Sequence, residues 1–220
     1  MKLSERARRF ATQAHRKAGQ KRKFTGEPYI VHPASVVKLL QSINPTEEMI
    51  AAAWLHDVVE DTGVTLETID SLFGVEVGQY VEMLTDVRTR RTGGSRIDRK
   101  NANLIHSARA NAGAQTIKLC DLIDNARDVV ARDPIFACEY ILEMKRLLSV
   151  LTAGDQILYA QARALCDEGL ALLCQQQGSD AWFVESWAQY EQHTPLSSVT
   201  TWSEKELPES LPQPVPSEQK

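Results

Sequence analysis

The chain has 220 residues and a formal net charge of −4, with 43% hydrophobic and 25% charged residues. These values are typical of a globular protein that is long enough for one domain with a sizeable core and an appendage. No apolar run approaches the roughly 18 residues of a membrane span, and the acidic balance argues against binding DNA, RNA or a membrane through bulk charge.

The first predicted helix runs from Ser4 to near Gly19, because apolar residues recur there at steps of three and four. Residues 20–29 follow as a basic turn, since their Gly and Pro residues break regular structure. His32 and Pro33 then open a second helix, because Pro is favoured at a first helical position. We expect His32 near a helix N-terminus and facing the core, although a lone histidine there is more often a capping residue than a ligand.

The third predicted helix begins at Thr46 and continues through Asp61. Near its end, an apolar segment suddenly presents four ionisable side chains. At 3.6 residues per turn, His56 lies over Glu60 and Asp57 over Asp61. Carboxylates placed so close repel each other and resist desolvation, so a cation usually holds them, either Arg, Lys or a metal ion. We favour a metal, while Glu60 and Asp61 taken alone are also typical of a solvated helix end.

Two short helices are predicted next, one from Thr65 to the residue before Gly74 and one over residues 75–85. Residues 86–100 then concentrate positive charge around a Gly-Gly pair. The basic residues of this segment are Arg88, Arg90, Arg91, Arg96, Arg99 and Lys100. Such a segment is usually a solvated loop, but in an acidic protein it is also a candidate phosphate contact.

A helix is predicted over residues 97–112 and a longer one over residues 114–132. The longer helix carries Asp121 in an apolar neighbourhood, where a carboxylate needs a partner. Asn125 lies four residues further on and shares its face, and Lys118 lies one turn before it.

The rest of the chain predicts helices over residues 135–151 and 155–177 that close the core. We expect a main domain of residues 1–178, a short docking helix in residues 179–193 and a disordered Pro-rich tail in residues 194–220. No segment alternates as a strand does, so the predicted fold class is all-α. In such a bundle, ligands are supplied inward from different helices.

The four cysteines form no CxxC pair and lie in apolar, helical segments. Buried thiols in a reducing compartment explain them better than a disulfide framework or a zinc knuckle. The N-terminus lacks the apolar core of a secretion signal, so we expect a cytoplasmic protein.

Four of these residues lead to one interpretation, because each interrupts an apolar run. They are His32, His56, Asp57 and Asp121. Two imidazoles and two carboxylates suit a divalent ion such as Mn, Fe, Co or Zn and leave positions for water or a substrate oxygen. The sequence therefore predicts one metal site built from side chains that are far apart in the chain.

Three motifs carry a resemblance to a known family. They read Gly26-Glu27-Pro28-Tyr29-Ile30-x-His32-Pro33, Ala53-Trp54-Leu55-His56-Asp57-x-x-Glu60-Asp61-Thr62 and Lys118-Leu119-x-Asp121-x-x-x-Asn125. In order and spacing they resemble the hydrolase domain of the Rel/Spo alarmone enzymes, within the HD phosphohydrolase superfamily, over residues 4 to 175. The resemblance implies an HD-domain helical bundle that hydrolyses the 3′-pyrophosphate of guanosine tetraphosphate or pentaphosphate (ppGpp or pppGpp) to GDP or GTP and pyrophosphate.

The resemblance also implies roles for individual residues. His32, His56, Asp57 and Asp121 match the family's metal ligands, with Mn²⁺ as the usual ion. Glu60 and Asp61 match the residues that handle the attacking water, and Asn125 matches a nucleotide contact. The further substrate-binding candidates are Tyr29 of the first motif and the basic residues Arg22, Lys23, Arg99 and Lys100, because a polyanionic substrate needs cations on its approach.

The chain departs from the family at three positions. Lys23 stands where the long enzymes commonly have Arg, and Lys cannot reproduce a planar stacking or bidentate contact, although Arg22 can substitute. Leu122 and Asp124 stand where those enzymes often have Arg and His. We expect the metal site to be unaffected and base recognition to differ.

Because a Pro-rich tail follows instead of a synthetase domain, we expect a stand-alone small alarmone hydrolase whose partner is a guanine nucleotide. Two alternatives stay open. One is an HD phosphohydrolase that acts on another nucleotide or phosphate ester, and the other is a non-catalytic module that binds an alarmone. The sequence also leaves the identity of the metal and a homodimer open.

Overall fold

The computed structural model describes residues 1–199. Over these residues the chain folds into α-helices and short 3₁₀ turns without a strand, and one isolated bridge pairs Lys21 with Pro28. The predicted all-α fold class is confirmed. Of the predicted tail, residues 194–199 include a 3₁₀ turn at Leu196–Ser198, and the remainder lies outside the described residues. The division into a domain, a docking helix and a tail stays a prediction.

The helix bounds follow the predicted order closely. They are α1 Leu3–Lys17, α2 Val31–Leu40, α3 Glu47–Leu55, α4 Val58–Asp61, α5 Leu66–Phe73, α6 Val75–Leu84, α7 Arg96–Ala108, α8 Ala112–Arg132, α9 Pro134–Leu148, α10 Gln156–Gln177 and α11 Ala181–His193. Helix α7 ends before the predicted boundary because Asn111 caps the next helix. Its side chain accepts a hydrogen bond from the Ala114 N–H at 2.9 Å, as an N-cap does.

The predicted third helix is interrupted, and the continuous helix through Asp61 was wrong. Helix α3 ends at Leu55, and His56 and Asp57 form a turn before α4 begins. The His56 Nδ1 donates to the Ala53 carbonyl oxygen at 2.8 Å. In an unbroken helix that carbonyl would accept the Asp57 N–H. A side chain thus competes with the backbone at this point and turns two ionisable residues inward.

Helix α8 is the central helix of the bundle, and it contacts α2, α3, α6, α9 and α10. Ile117, Leu119, Cys120 and Ile123 on it are fully buried. A helix that is apolar on most of its surface belongs in the interior. The same helix carries Asp121, so packing α8 at the centre brings a carboxylate into the core.

Helix α11 packs on α7 and α9. Arg146 of α9 is only 2% exposed and connects the three helices. Its guanidinium donates to Asn101 Oδ1 at 3.3 Å and to the Thr194 carbonyl at 2.7 Å, and it also pairs with Glu191. A buried guanidinium is stable only when its donors are paired, so this cation holds the C-terminal helix in place.

Two further features concern the environment of the protein. None of the helices in residues 1–199 combines the length and apolar character that a bilayer crossing requires. All four cysteines are free thiols; Cys120 and Cys166 are buried, and Cys138 and Cys174 are half-buried.

The close approach of the α9–α10 connection to α8 predicts a stability difference between two glycines. A Cβ on Gly154 would lie 2.7 Å from the Leu119 side chain and 3.3 Å from backbone atoms of α8, whereas one on Gly63 would meet nothing within 4 Å. Neither glycine has a positive φ. We expect Gly154→Ala to lower the free energy of unfolding in urea by about 1 to 3 kcal/mol and Gly63→Ala to change it by less than about 0.5 kcal/mol. Equal stabilities would contradict the packing.

Candidate metal centre

Four side chains from three parts of the chain meet in the core. His32 comes from α2, His56 and Asp57 from the turn between α3 and α4, and Asp121 from α8. The His32 Nε2 lies 3.1 Å from Asp121 Oδ1 and 3.5 Å from Asp57 Oδ2. The His56 Nε2 lies 3.0 Å from Asp57 Oδ2 and 3.9 Å from Asp121 Oδ1. We call these four residues the His–Asp cluster.

The Nδ1 atom of each imidazole makes a hydrogen bond outside the cluster, and that bond fixes the tautomer. The His32 Nδ1 lies 2.7 Å from Asp124 Oδ2, and the His56 Nδ1 lies 2.8 Å from the Ala53 carbonyl. A carbonyl or a carboxylate only accepts hydrogen bonds, so each Nδ1 carries the proton. The Nε2 atoms therefore face the cluster with their lone pairs, which is the orientation that a metal-ligating histidine has.

This arrangement requires a cation. The two Nε2 atoms are 3.2 Å apart, and neutral rings in this tautomer would direct lone pairs at each other and at two carboxylates. His32 and His56 are no more than 2% exposed and Asp121 is 6% exposed, so water does not relieve the repulsion. In the metal-free protein a second proton, on His32 Nε2, supplies this charge: burial alone would lower the pKa of His32, but the bonds to Asp121 and Asp124 outweigh it and raise that pKa to about 10. A metal ion would replace that proton.

The donor set fits a divalent metal ion. One donor atom from each of His32, His56 and Asp57 lies within 4.8 Å of the others, as ligands of a single ion do. Mixed imidazole and carboxylate donors suit a borderline first-row ion, and such an ion supplies the positive charge that the cluster lacks.

Hydrogen bonds orient the two cluster carboxylates. The Tyr29 hydroxyl donates to Asp57 Oδ2 at 2.6 Å. Asp121 accepts from the Asn125 amide at 2.6 Å and pairs with the Lys118 ammonium at 2.9 Å. Both carboxylates are thus held in place from outside the cluster, as is usual for ligands of a metal.

Glu60 and Asp61 lie on α4, next to the cluster. Glu60 Oε1 accepts a hydrogen bond from the Asp86 N–H. Burial, the nearby Asp86 and Asp57 together raise the pKa of Glu60 to about 7. Burial and Asp57 also raise the pKa of Asp61. A carboxylate with a pKa near neutrality is suited to accept and release a proton at physiological pH.

The cluster opens into a cavity of about 420 Å³, whose wall includes Asp57, Glu60 and Asp121. Basic side chains also line this cavity, among them Lys21, Arg22, Lys23, Arg96, Lys100 and Lys118. A cavity of this size holds a small molecule, and its cations favour an anionic one.

The structure places most of the predicted substrate residues at this cavity. Arg22, Lys23, Tyr29, Lys100 and Asn125 all line it. Tyr29 and Asn125 bond to the cluster carboxylates, and Arg22 and Lys23 also have partners within the protein. Arg22 donates to Asp128 at 2.7 Å and to Asn125 at 3.1 Å, and Lys23 pairs with Asp133 at 2.9 Å.

Arg99 is the exception, because the structure does not place it at the cavity. It is not part of the cavity wall, and its guanidinium donates to the Gly94 carbonyl. Helix α7 instead presents residues 96, 100, 103 and 107 to the cavity. This spacing of three and four residues defines one helix face, and position 99 lies at the edge of that face, where its side chain bonds to the Gly94 carbonyl.

Sequence reasoning did not assign four residues to the site, although it named Lys118 next to Asp121 and Arg96 in the basic segment. Asp124 orients His32, Lys118 pairs with Asp121, Asp86 contacts Glu60, and Arg96 lines the cavity. Two signals were present in the sequence. Lys118 lies one turn before Asp121 in an apolar helix, and Arg96 lies one turn before Lys100 on the same face. Nothing in the sequence pointed to the pairing of Asp124 with His32, 92 residues away.

Comparisons with known proteins agree with this geometry. Residues 7–136 match the family described as HD domain. A solved structure, described as a metazoan ortholog of SpoT that hydrolyzes ppGpp and plays a role in starvation responses, is similar with a TM-score of 0.68. It is 26% identical in sequence, and the match covers 76% of this chain and 96% of that one.

Two curated relatives are similar over part of the chain. A probable guanosine-3′,5′-bis(diphosphate) 3′-pyrophosphohydrolase of Synechocystis is 38% identical over 128 residues, which are 57% of this chain and 16% of that protein. The human guanosine-3′,5′-bis(diphosphate) 3′-pyrophosphohydrolase MESH1 is 36% identical over 123 residues, which are 54% of this chain and 65% of that protein. The matched region thus spans less than two thirds of either relative.

The raised pKa of Glu60 predicts that the carboxylate destabilises the metal-free fold. Its folded-state pKa of about 7 lies above the ordinary 4.5. Ionisation of Glu60 therefore lowers the free energy of unfolding progressively above pH 4.5, and the full loss is present above about pH 7. We expect Glu60→Gln to raise the free energy of unfolding of chelator-treated protein by about 1 to 3 kcal/mol at pH 8. The gain should shrink as the pH falls from 7 to 4.5.

The control for this experiment is Glu168→Gln, since Glu168 is exposed on α10. It should leave stability unchanged at both ends of the pH range. A Glu60→Gln protein that is less stable than the wild type at pH 8 would contradict the electrostatic account.

Proposed function

The chain belongs to the HD-domain family, and on that premise we propose that it is a metal-dependent hydrolase of guanosine 3′,5′-bis(diphosphate) and its pentaphosphate form. It would cleave the 3′-pyrophosphate and release pyrophosphate with GDP or GTP. The observation that carries the proposal is the His–Asp cluster at the wall of a cavity lined with basic side chains. The similarity to enzymes named for this reaction supports the substrate.

We propose Mn²⁺ as the ion, held by His32, His56, Asp57 and Asp121. The paired donor set and its need for positive charge support a divalent ion, and the resemblance to the Rel/Spo hydrolase domain supports Mn²⁺ among the candidates. A divalent ion in such a site lowers the pKa of water from 15.7 toward about 7 and offsets negative charge on a phosphoryl group.

The proton of the attacking water would pass to Glu60. Its carboxylate lies beside Asp57 at the cavity wall, and its pKa is raised to about 7 in the metal-free protein. A bound divalent ion would lower that pKa and keep the carboxylate ionised as a proton acceptor. Asp61, on the same short helix, would orient the water together with Glu60. The water oxygen joins the phosphorus that is attached to the 3′ oxygen, and that phosphorus–oxygen bond breaks. The released 3′ oxygen takes a proton and becomes the hydroxyl of the product nucleotide.

The phosphates of the substrate would contact the cations of the cavity wall. Lys118 lies next to the cluster, 2.9 Å from Asp121, and suits the pyrophosphate that leaves. Lys100 is 3.9 Å from Asp86, and its side chain is 38% exposed, so its ammonium is available for a ligand. Arg96 provides a planar fork on the same helix face, one turn earlier.

The nucleoside would lie against the wall formed by Arg22 and Asn125. These two side chains are joined by a 3.1 Å hydrogen bond, so we propose that they act as one unit in substrate binding, with Tyr29 at its cluster end. Lys23 is less suited to bind the nucleoside, because its ammonium pairs with Asp133 and lies 4.9 Å from the Phe24 and Phe136 ring centres.

The position of Lys23 favours a second candidate function. With its ammonium engaged by Asp133 and two aromatic rings, Lys23 offers no planar surface for a guanine. The same site would then hydrolyse another nucleotide or phosphate ester. A substrate panel separates the two candidates.

The test is a chromatographic analysis of the products that purified protein forms with Mn²⁺ from ppGpp, pppGpp, deoxynucleoside triphosphates and nucleoside monophosphates. We expect pyrophosphate with GDP or GTP from the first two substrates alone. Asp57→Ala should abolish both bound metal and turnover, because it removes a ligand, whereas Glu60→Gln should abolish turnover and retain metal.

Asp167→Ala, a change at an exposed position of α10, is the control for expression and folding, which circular dichroism monitors. Full activity of Asp57→Ala would refute the metal site. Turnover of the other nucleotides, but not of ppGpp, would support the second candidate instead.

A neighbouring pair of basic residues tests the substrate cavity. Lys100→Ala removes a cation from the cavity wall, whereas Arg99→Ala removes an equal charge one residue away that points outside it. We expect Lys100→Ala to raise KM for ppGpp on the order of 10-fold, as for a charged hydrogen bond, and Arg99→Ala to change it less than about 2-fold. Equal effects of the two variants would mean that only the overall charge of α7 matters.

A further inference from the structure

The C-terminal helix α11 forms part of the cavity wall, although it lies beyond residues 7–136 that match the family. Its contribution is Tyr190, which is 6% exposed and lines the cavity. The backbone carbonyl of Tyr190 accepts from the Asn101 amide of α7 at 3.1 Å. Together with the buried Arg146, this bond fixes the position of the tyrosine relative to α7 and α9.

The hydroxyl of Tyr190 does not stay free. It donates to Glu143 Oε1 of α9 at 2.7 Å. The Glu143 carboxylate is 8% exposed, and it also accepts both arms of the Arg96 fork, at 2.7 Å from Nε and at 2.9 Å from Nη2. The three side chains therefore form a chain of hydrogen bonds from α11 through α9 to α7.

Arg96 retains donors for a ligand. A guanidinium has five N–H groups, and the bonds to Glu143 use two of them, so three are left. Its side chain is 27% exposed and lines the cavity. Glu139 Oε2, 3.2 Å from Nε, and the Phe136 ring, 5.1 Å from Cζ, also contact the guanidinium. The bidentate bond to Glu143 restricts its plane most, so the orientation of Glu143 helps to decide where the remaining N–H groups point.

Arg96 makes no hydrogen bond to the His–Asp cluster within residues 1–199, whereas Lys118 pairs directly with it. A substrate with two diphosphate groups, one of them at the cluster, would present the other to a cation elsewhere in the same cavity. Arg96 is such a cation.

We infer that Tyr190 is a positioning residue, which holds Glu143 and through it aims Arg96 at the 5′-diphosphate of the substrate. This inference rests on the proposed function for the identity of that ligand. Helix α11 thereby contributes to substrate affinity without touching the reacting atoms. Loss of the hydroxyl leaves Glu143 one hydrogen bond short and lets the Arg96–Glu143 pair turn as a unit.

The test compares Tyr190→Phe with Tyr159→Phe in the full chain. Each change removes one hydroxyl, but that of Tyr159 donates to the Leu148 carbonyl at 2.9 Å and lies outside the cavity wall. For Tyr190→Phe we expect KM for ppGpp and the dissociation constant of GDP to rise on the order of 5-fold, with kcat within about 2-fold and bound metal unchanged. Tyr159→Phe should alter none of these values.

A double-mutant cycle separates positioning from general damage. In an Arg96→Ala background, Tyr190→Phe should have no further effect on GDP binding, because the group that it positions is gone. An equal loss in both backgrounds, or an unchanged GDP affinity in Tyr190→Phe alone, would overturn the inference.

The GDP measurement also separates this inference from the proposed function. A wild type that does not hydrolyse ppGpp, but whose GDP affinity depends on Tyr190 only when Arg96 is present, would refute the function and uphold the positioning. A wild type that hydrolyses ppGpp, but whose GDP affinity does not depend on Tyr190, would uphold the function and refute the positioning. A wild type that neither hydrolyses ppGpp nor binds GDP would refute both.

Discussion

The structure depends on a charge requirement in its core. Two imidazoles, each with a proton committed at Nδ1, meet two carboxylates at the largely buried inner wall of a cavity. Without a cation these groups repel one another, and with one they become strongly bound ligands. The surrounding helices supply what this arrangement needs. Asp124 and the Ala53 carbonyl set the tautomers, and Lys118 compensates one carboxylate.

The same requirement explains a local departure from regular structure. An unbroken helix through His56 would satisfy its backbone but would leave the imidazole without an acceptor for its Nδ1 proton. The Ala53 carbonyl instead accepts from the side chain, and α3 ends at Leu55, the residue before His56. The loss of regular helix is confined to this turn, whereas the fixed orientation of the His56 imidazole affects the whole cluster.

The cavity distributes its charges unevenly, which bears on selectivity. Arg22 is neutralised by Asp124 and Asp128, and Arg96 is bound by Glu143 and Glu139. Among residues 1–199, the carboxylate that pairs with Lys100 is more distant, at 3.9 Å. Cations that are already paired lose less hydration when a ligand arrives, but they also attract it less. The paired arginines therefore select a ligand by its shape and by the direction of their donors, whereas Lys100 attracts any anion. Together they favour an anion of defined geometry over other polyanions.

Particular residues show how far sequence patterns reach. The 3.6-residue period and the caps predicted most helix bounds, because such signals act within one or two turns. The same period failed at His56, where a side chain took a backbone acceptor. Residues 86–100 were interpreted as a basic loop, whereas helix α7 begins at Arg96, and its turns bring Arg96 and Lys100, but not Arg99, to the cavity. The direction of a helix face depends on which neighbour covers the helix, and that neighbour is remote in sequence.

The sequence by itself determined the all-α class, the order of the helices and the four residue types of the cluster, because each of these follows from local periodicity or from a polar residue that interrupts an apolar run. Only the tertiary structure decided that Asp124 orients His32, that the Arg22 guanidinium is neutralised, and that α11 reaches the cavity through Tyr190. These contacts join residues that are 92, 106 and 47 positions apart. Contacts at such separations arise from the packing of whole helices, and no local pattern encodes them.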